Sequence, residues 1–154
     1  MRSRPAGGTL ASSSSTHGFE EAPVEIVVGY IPTPEGLAAV EYATRVAERE
    51  SARVTIVNTG MHGSDSDPSF ADATELDAIS ERLQRRGVTH DVRQPVHVDV
   101  PAEAVLGVAG EVGADLIVIG LRRRSLVGKL FLGSTSQQII IDAECPVVTV
   151  KRPV

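Results

Sequence analysis

The residues best placed to do chemistry lie between Asp115 and Ser136, in Asp-Leu-Ile-Val-Ile-Gly-Leu-Arg-Arg-Arg-Ser-Leu-Val-Gly-Lys-Leu-Phe-Leu-Gly-Ser-Thr-Ser. The apolar run that ends at Gly120 reads as a buried strand. A loop carrying Arg122, Arg123, Arg124 and Lys129 follows, and Gly133-Ser134 opens a helix. The first backbone N–H groups of that helix, on Ser134, Thr135 and Ser136, have no partners within it, and the helix dipole there favours an anion. Gly133 admits a close backbone approach, Ser134 and Ser136 offer hydroxyls, and the arginines can grip phosphate oxygens in pairs. A second reading stands beside this phosphate cradle: the arginines form a solvated loop, and Gly133-Ser134 does no more than cap a helix.

Other chemistries fail on spacing. Gly128-Lys129 suggests a kinase-type phosphate loop, but Arg123 stands where its first glycine belongs and Leu130 where the magnesium-binding hydroxyl belongs. Gly29-Tyr30-Ile31 is not followed by the glycines of a dinucleotide fingerprint. Of the histidines, only His97 with Asp99 suggests an acid–base pair, and two polar residues at a loop are its plainer description. Cys145 before Pro146 reads as a small apolar residue, with nothing spaced like a metal site around it.

The totals fit one soluble domain in 154 residues. With three Phe, two Tyr and no Trp, the core must be Val, Ile, Leu and Ala, which suits a sheet between helices and not a stacking platform for single-stranded nucleic acid. A net charge of -5 argues against a general nucleic-acid binder. No apolar run approaches the roughly 18 residues of a membrane span. One cysteine permits no intrachain disulfide, which favours a reducing compartment such as the cytoplasm.

The elements that must position the cradle can be read in order. Residues 1–22 are polar, small and aperiodic, and are expected to be a disordered tail; their Arg- and Ser-rich composition is also that of transit peptides. Residues 23–154 form the domain. Val24–Tyr30 is a β-branched strand. Thr33 caps a helix over 34–50 that begins with Pro34 and carries an apolar stripe of Leu37, Val40, Ala43 and Ala47. Arg53–Thr59 is a second strand; a Gly/Asp/Ser-rich loop leads to a helix through about Arg86, closed by Gly87. The alternation from Val88 to Val98 predicts a third strand. A helix follows from Pro101, with Asp99 near its cap and Gly113 at its end, then the strand 115–120, the helix 134–142 with Ile139 and Ile140 inward, and a closing strand 146–150. Strand and helix alternate throughout. The fold class is therefore α/β, a single-domain open five-stranded mainly parallel sheet with helices on both faces. Such a sheet binds ligands beyond the carboxyl ends of its strands, where strand order reverses.

Three blocks in this order and spacing carry a family resemblance: Gly-Ala-Asp-Leu-Ile-Val-Ile-Gly at 113–120, Leu132-Gly133-Ser134-Thr135-Ser136, and Cys145-Pro146-Val147-Val148-Thr149-Val150. With Ile26-Val27-Val28-Gly29-Tyr30 and the helix after it, they resemble the universal stress protein family over about residues 23–151. The resemblance implies the adenine-nucleotide alpha-hydrolase-like fold and homodimers, often paired through the last strand, here Pro146–Val150. Many members bind ATP and others do not. Their binding motif is Gly, two residues, Gly, nine residues, then Gly-Ser or Gly-Thr. Gly120 and Gly133-Ser134 match it, whereas Arg123 replaces the second glycine. Nucleotide-binding members commonly carry an Asp after the first strand; Ile31 stands there, and Pro32 follows.

By this resemblance an adenine nucleotide, ATP with its Mg2+, would rest its phosphates on Gly120, Arg123, Gly133, Ser134 and Thr135 and its base near Ile31, Pro32 and Val57. Arg123 carries a Cβ where backbone access is usual, yet its guanidinium can itself reach phosphates. A lost hydrogen bond at Ile31 is worth ~0.5–1.5 kcal/mol, about tenfold in affinity at most. No general base lies in the motif, so ATP hydrolysis is expected to be slow at most, and the protein is read as a regulatory stress-response module. The alternative is a dimeric interaction module without nucleotide, docking an acidic partner on residues 122–129.

Overall fold

The computed structural model describes residues 21–60, 67–96, 98–122 and 132–153. Its elements are β1 (Glu25–Tyr30), α1 (Pro34–Glu50), β2 (Arg53–Asn58), α2 (Ala73–Arg85), β3 (His90–Arg93), α3 (Pro101–Val112), β4 (Leu116–Gly120), α4 (Ser134–Asp142) and β5 (Val147–Val150). All strand pairs are parallel, in the order β3-β2-β1-β4-β5. The expected fold class is the one observed.

Continuous apolar strands follow from burial on both faces. In β1, Ile26, Val28 and Tyr30 face a core under α1 and α2, while Val27 joins Val57, Ile117 and Ile119 under α3 and α4. Each fully buried Val or Ile in these clusters contributes about 1.5–3 kcal/mol relative to exposure.

The helix signals act as the sequence indicates, with exceptions that have physical causes. Thr33 caps α1 by accepting a hydrogen bond from the Gly36 N–H at 3.0 Å. Asp72 and Glu75 form a reciprocal capping box on α2. Gly113, with φ 66°, closes α3. The buried stripe of α1 is Gly36, Ala39, Val40, Ala43, Thr44 and Ala47, so the helix packs close to the sheet on small residues; Leu37 lies off that stripe and is 41% exposed. Ile139 is buried as expected, but Ile140 and Ile141 face outward. Asp99 does not cap α3: Val100 holds that position and makes no side-chain cap bond. The third strand is shorter than its alternation predicts, because Pro95 cannot donate to a ladder and the Gln94 side chain turns to another task.

Outside the core, Arg86 at the end of α2 donates to Glu41 and Glu48 of α1, at 2.6 to 2.9 Å, and ties the two helices together. At the amino end of the sheet, the Glu25 N–H donates to Asp115 Oδ2 at 2.9 Å and the Asp115 N–H to the Glu25 carbonyl at 2.8 Å, fastening β1 to β4.

Candidate functional site

Strand order reverses between β1 and β4, so the crevice at their carboxyl ends is the place to look for a ligand. Register sets one row of residues along that edge. Tyr30 pairs with Asn58, and Gly120 with Val150. One step past Gly29↔Ile119 and Val57↔Arg93, Tyr30 lies beside Gly120 and Asn58 beside Gln94.

Gly120 is a glycine for a reason of packing. A Cβ there would lie 2.6 Å from the Glu35 carbonyl carbon and 2.9 Å from the Gly36 nitrogen. The first turn of α1 therefore sits directly on the end of β4. Gly36 is constrained in turn, since a Cβ on it would overlap the Ile31 carbonyl oxygen. That carbonyl also accepts from the Thr33 N–H at 2.8 Å. Ile31 and Pro32 form the tight rim between β1 and α1, with the Ile31 residue 36% exposed. Gly120, Ile31 and Pro32 are thus brought to one side of the crevice by the close seat of α1.

The next element after β4 is α4, which starts at Ser134. Gly133 is its N-cap in ordinary extended backbone (φ -63°, ψ 157°), with open space around it. Ser134 is exposed and Thr135 half-buried. Among the described residues no side chain caps the first turn of α4, and that turn carries no acidic residue. In α1 and α2 a capping side chain occupies one of the free N–H groups, and α3 carries Glu103 in its first turn. Free amides with the positive dipole end unneutralised are what an anion needs.

Of the other expected contacts, one has a buried side chain and one lies outside the described residues. Val57 is 1% exposed and its side chain belongs to the core beneath α3, not to the crevice. Arg123, the remainder of the cationic loop through residue 131, His97 and most of the expected tail lie outside the described residues. Asp99 is exposed. Cys145 is half-buried against the α3 side of the core; burial and then the Asp115 carboxylate push its thiol up from the usual range, which suits an unreactive packing role. Among the described residues, no group of three His, Cys, Asp or Glu could hold a metal.

A polar hub escaped the sequence reading. Asn58, fully buried at the end of β2, donates through Nδ2 to the carbonyls of Tyr30 and Ser69, both at 2.9 Å. Its Oδ1 accepts from the Ala71 N–H at 3.0 Å and from Gln94 Nε2 at 2.9 Å. Gln94 Nε2 also donates to the Ala71 carbonyl at 2.8 Å. The return of the chain from β2 to α2 is thereby pinned to the carboxyl edge. The one signal available was an Asn ending an apolar strand just before Thr59-Gly60. Beside the hub, burial followed by the Glu75 carboxylate pushes the Tyr30 phenol up.

A doubly wound parallel sheet, with a glycine-tight turn where α1 seats on the end of β4, defines an α/β domain with a crevice at its switch point. The chain belongs to the universal stress protein family, which matches residues 25–151. A universal stress protein of Mycolicibacterium smegmatis is 39% identical over 126 residues, covering 82% of this chain and 96% of that one. The solved structure of a universal stress protein from Archaeoglobus fulgidus superposes with a TM-score of 0.70 at 27% identity, covering 84% of this chain and all of the other. A universal stress protein solved in complex with cAMP superposes with a TM-score of 0.68 at 23% identity, covering 86% and 100%.

Proposed function

We propose that this protein is a regulatory stress-response module that binds an adenine nucleotide, ATP with its magnesium ion included, across the carboxyl edge of its sheet. The observation that carries the reading is the start of α4, where among the described residues no side chain caps the first turn and no acidic residue stands in it. The phosphates rest there, on Gly120, Gly133, Ser134 and Thr135, with Arg123 supplying charge; the sugar and base extend past Ile31 and Pro32 toward the end of β2. The cAMP carried by a relative of the same fold supports the ligand class. Calorimetric titration with AMP and with ATP–magnesium tests it, beside a Ser134→Ala, Arg123→Ala double variant. Binding that weakens in the variant supports the cradle, and no heat at millimolar nucleotide sinks it. The apolar Ile31, where nucleotide binders commonly have a carboxylate, favours the second reading, in which the cationic loop from Arg122 docks an acidic partner.

We also propose a homodimer through β5. The two sheet edges differ: β3 carries His90, Asp91 and Arg93, and Arg93 is held by Asp91 and Glu111 at 3.0 and 2.6 Å. β5 is Val147-Val148-Thr149-Val150, with no charge to discourage pairing.

A further inference from the structure

The carboxyl ends of α3 and α4 meet over the amino edge of the sheet, on the side away from the nucleotide crevice. α3 closes at Gly113 and α4 at Ala143, and neither has a basic residue in its last turn, whereas α1 ends with Arg49 and α2 with Arg82 and Arg85. The two ends enclose a groove of about 460 Å³, lined by the apolar Leu106, Ala109 and Ile117, by Cys145, and by Asp142 and Glu144. No lining residue is basic. Both carboxylates are exposed, and among the described residues neither is in an ion pair. The negative ends of two helix dipoles add to their field. Such a groove fits an arginine, whose stem covers apolar surface while its guanidinium meets carboxylates.

The chain carries arginines that can reach it. Residues 1–20 hold Arg2 and Arg4 and no acid before Glu20, and the family match starts at residue 25. The described chain enters β1 at the same amino edge, where Glu25 is bonded to Asp115 at the head of β4 and Ile117 of the groove lies two residues further on. β4 is one strand spacing from β1, about 5 Å, and the 16 residues between Arg4 and Glu21 span up to about 50 Å. Tethering raises the local concentration of the arginines, so weak contacts suffice. We propose that the segment bearing Arg2 and Arg4 docks in this groove, pairs with Asp142 and Glu144, and covers Cys145. The proposal is independent of the nucleotide reading.

The test uses the full chain, with amide NMR and with Cys145, its one cysteine, as a second reporter. Arg2→Glu, Arg4→Glu should shift the amide signals of Gly110, Gly113 and Glu144 and leave those of Asp91 and Arg93 on the far edge in place. A thiol-reactive disulfide should modify Cys145 several-fold faster in that variant than in the wild type. In an Asp142→Arg, Glu144→Arg background the order should reverse, the glutamate-bearing tail protecting Cys145 and the arginine-bearing tail leaving it open. Identical groove signals in wild type and tail variant overturn the proposal. Groove signals that follow protein concentration instead of tail charge overturn it too, by placing a second copy there. So does a Cys145 rate that ranks the two tails in the same order in both backgrounds.

Discussion

Gly120 and Glu35 are in backbone contact: a Cβ on Gly120 would sit 2.6 Å from the Glu35 carbonyl carbon and 2.7 Å from its oxygen. The glycine that a nucleotide motif would claim is thus already required by the seating of α1 on β4. Gly120→Ala should cost about 1–3 kcal/mol in urea denaturation with no nucleotide present, the usual penalty of an overpacked core. An unchanged midpoint would mean that the glycine serves a ligand alone.

Asn58→Leu keeps the size of the side chain and removes its hydrogen bonds. The Tyr30 and Ser69 carbonyls and the Ala71 N–H then lose a partner. At ~1–3 kcal/mol for each buried unsatisfied group, a loss of about 3 kcal/mol or more is expected. Hydrogen exchange provides the local check, since the Ala71 amide should lose its protection before the centre of β1 does.

Glu25 supplies a pH dependence whose sign can be worked out. Burial raises its carboxyl above the ordinary value; Arg53 opposes this and Asp115 adds to it. Its Oε2 is buried, with no hydrogen-bond partner among the described residues. Because the folded value lies above the unfolded one, the contribution of Glu25 to stability is fully present below the unfolded carboxylate range near pH ~4.3 and is lost as pH rises through the folded value. Glu25→Gln should therefore gain on the wild type in thermal stability between pH 4 and pH 7. A difference that is flat across that interval would remove Glu25 from the account.

Thr149→Pro tests the β5 interface without touching the sheet's own ladder. The Ile117 and Leu121 N–H groups donate to the carbonyls of Pro146 and Val150, so the even-numbered residues face β4 and Thr149 faces the free edge. Proline there removes an outward N–H. Light scattering should give twice 16.3 kDa for the wild type and a single chain for the folded variant. A variant that remains dimeric would place the interface elsewhere.

The sequence by itself determined the order of elements, because strand and helix leave separate local signals: β-branched runs at Ile26–Val28 and Ile117–Ile119, Thr33 and Asp72 at helix starts, Gly87 and Gly113 at helix ends. The motif spacing from Gly120 to Ser134 was legible for the same reason, since it lies within one stretch of chain. Tertiary structure decided what those residues are for. That Gly120 rests against Glu35, 85 positions away, depends on how closely α1 docks over β4, and no local pattern encodes that distance. That Leu37 and Ile140 face outward follows from the angle at which each helix meets the sheet, which a helical period leaves open by one position either way. Asn58 and Gln94 look like ordinary polar residues at strand ends. Only the parallel register of β2 and β3 puts their amides side by side.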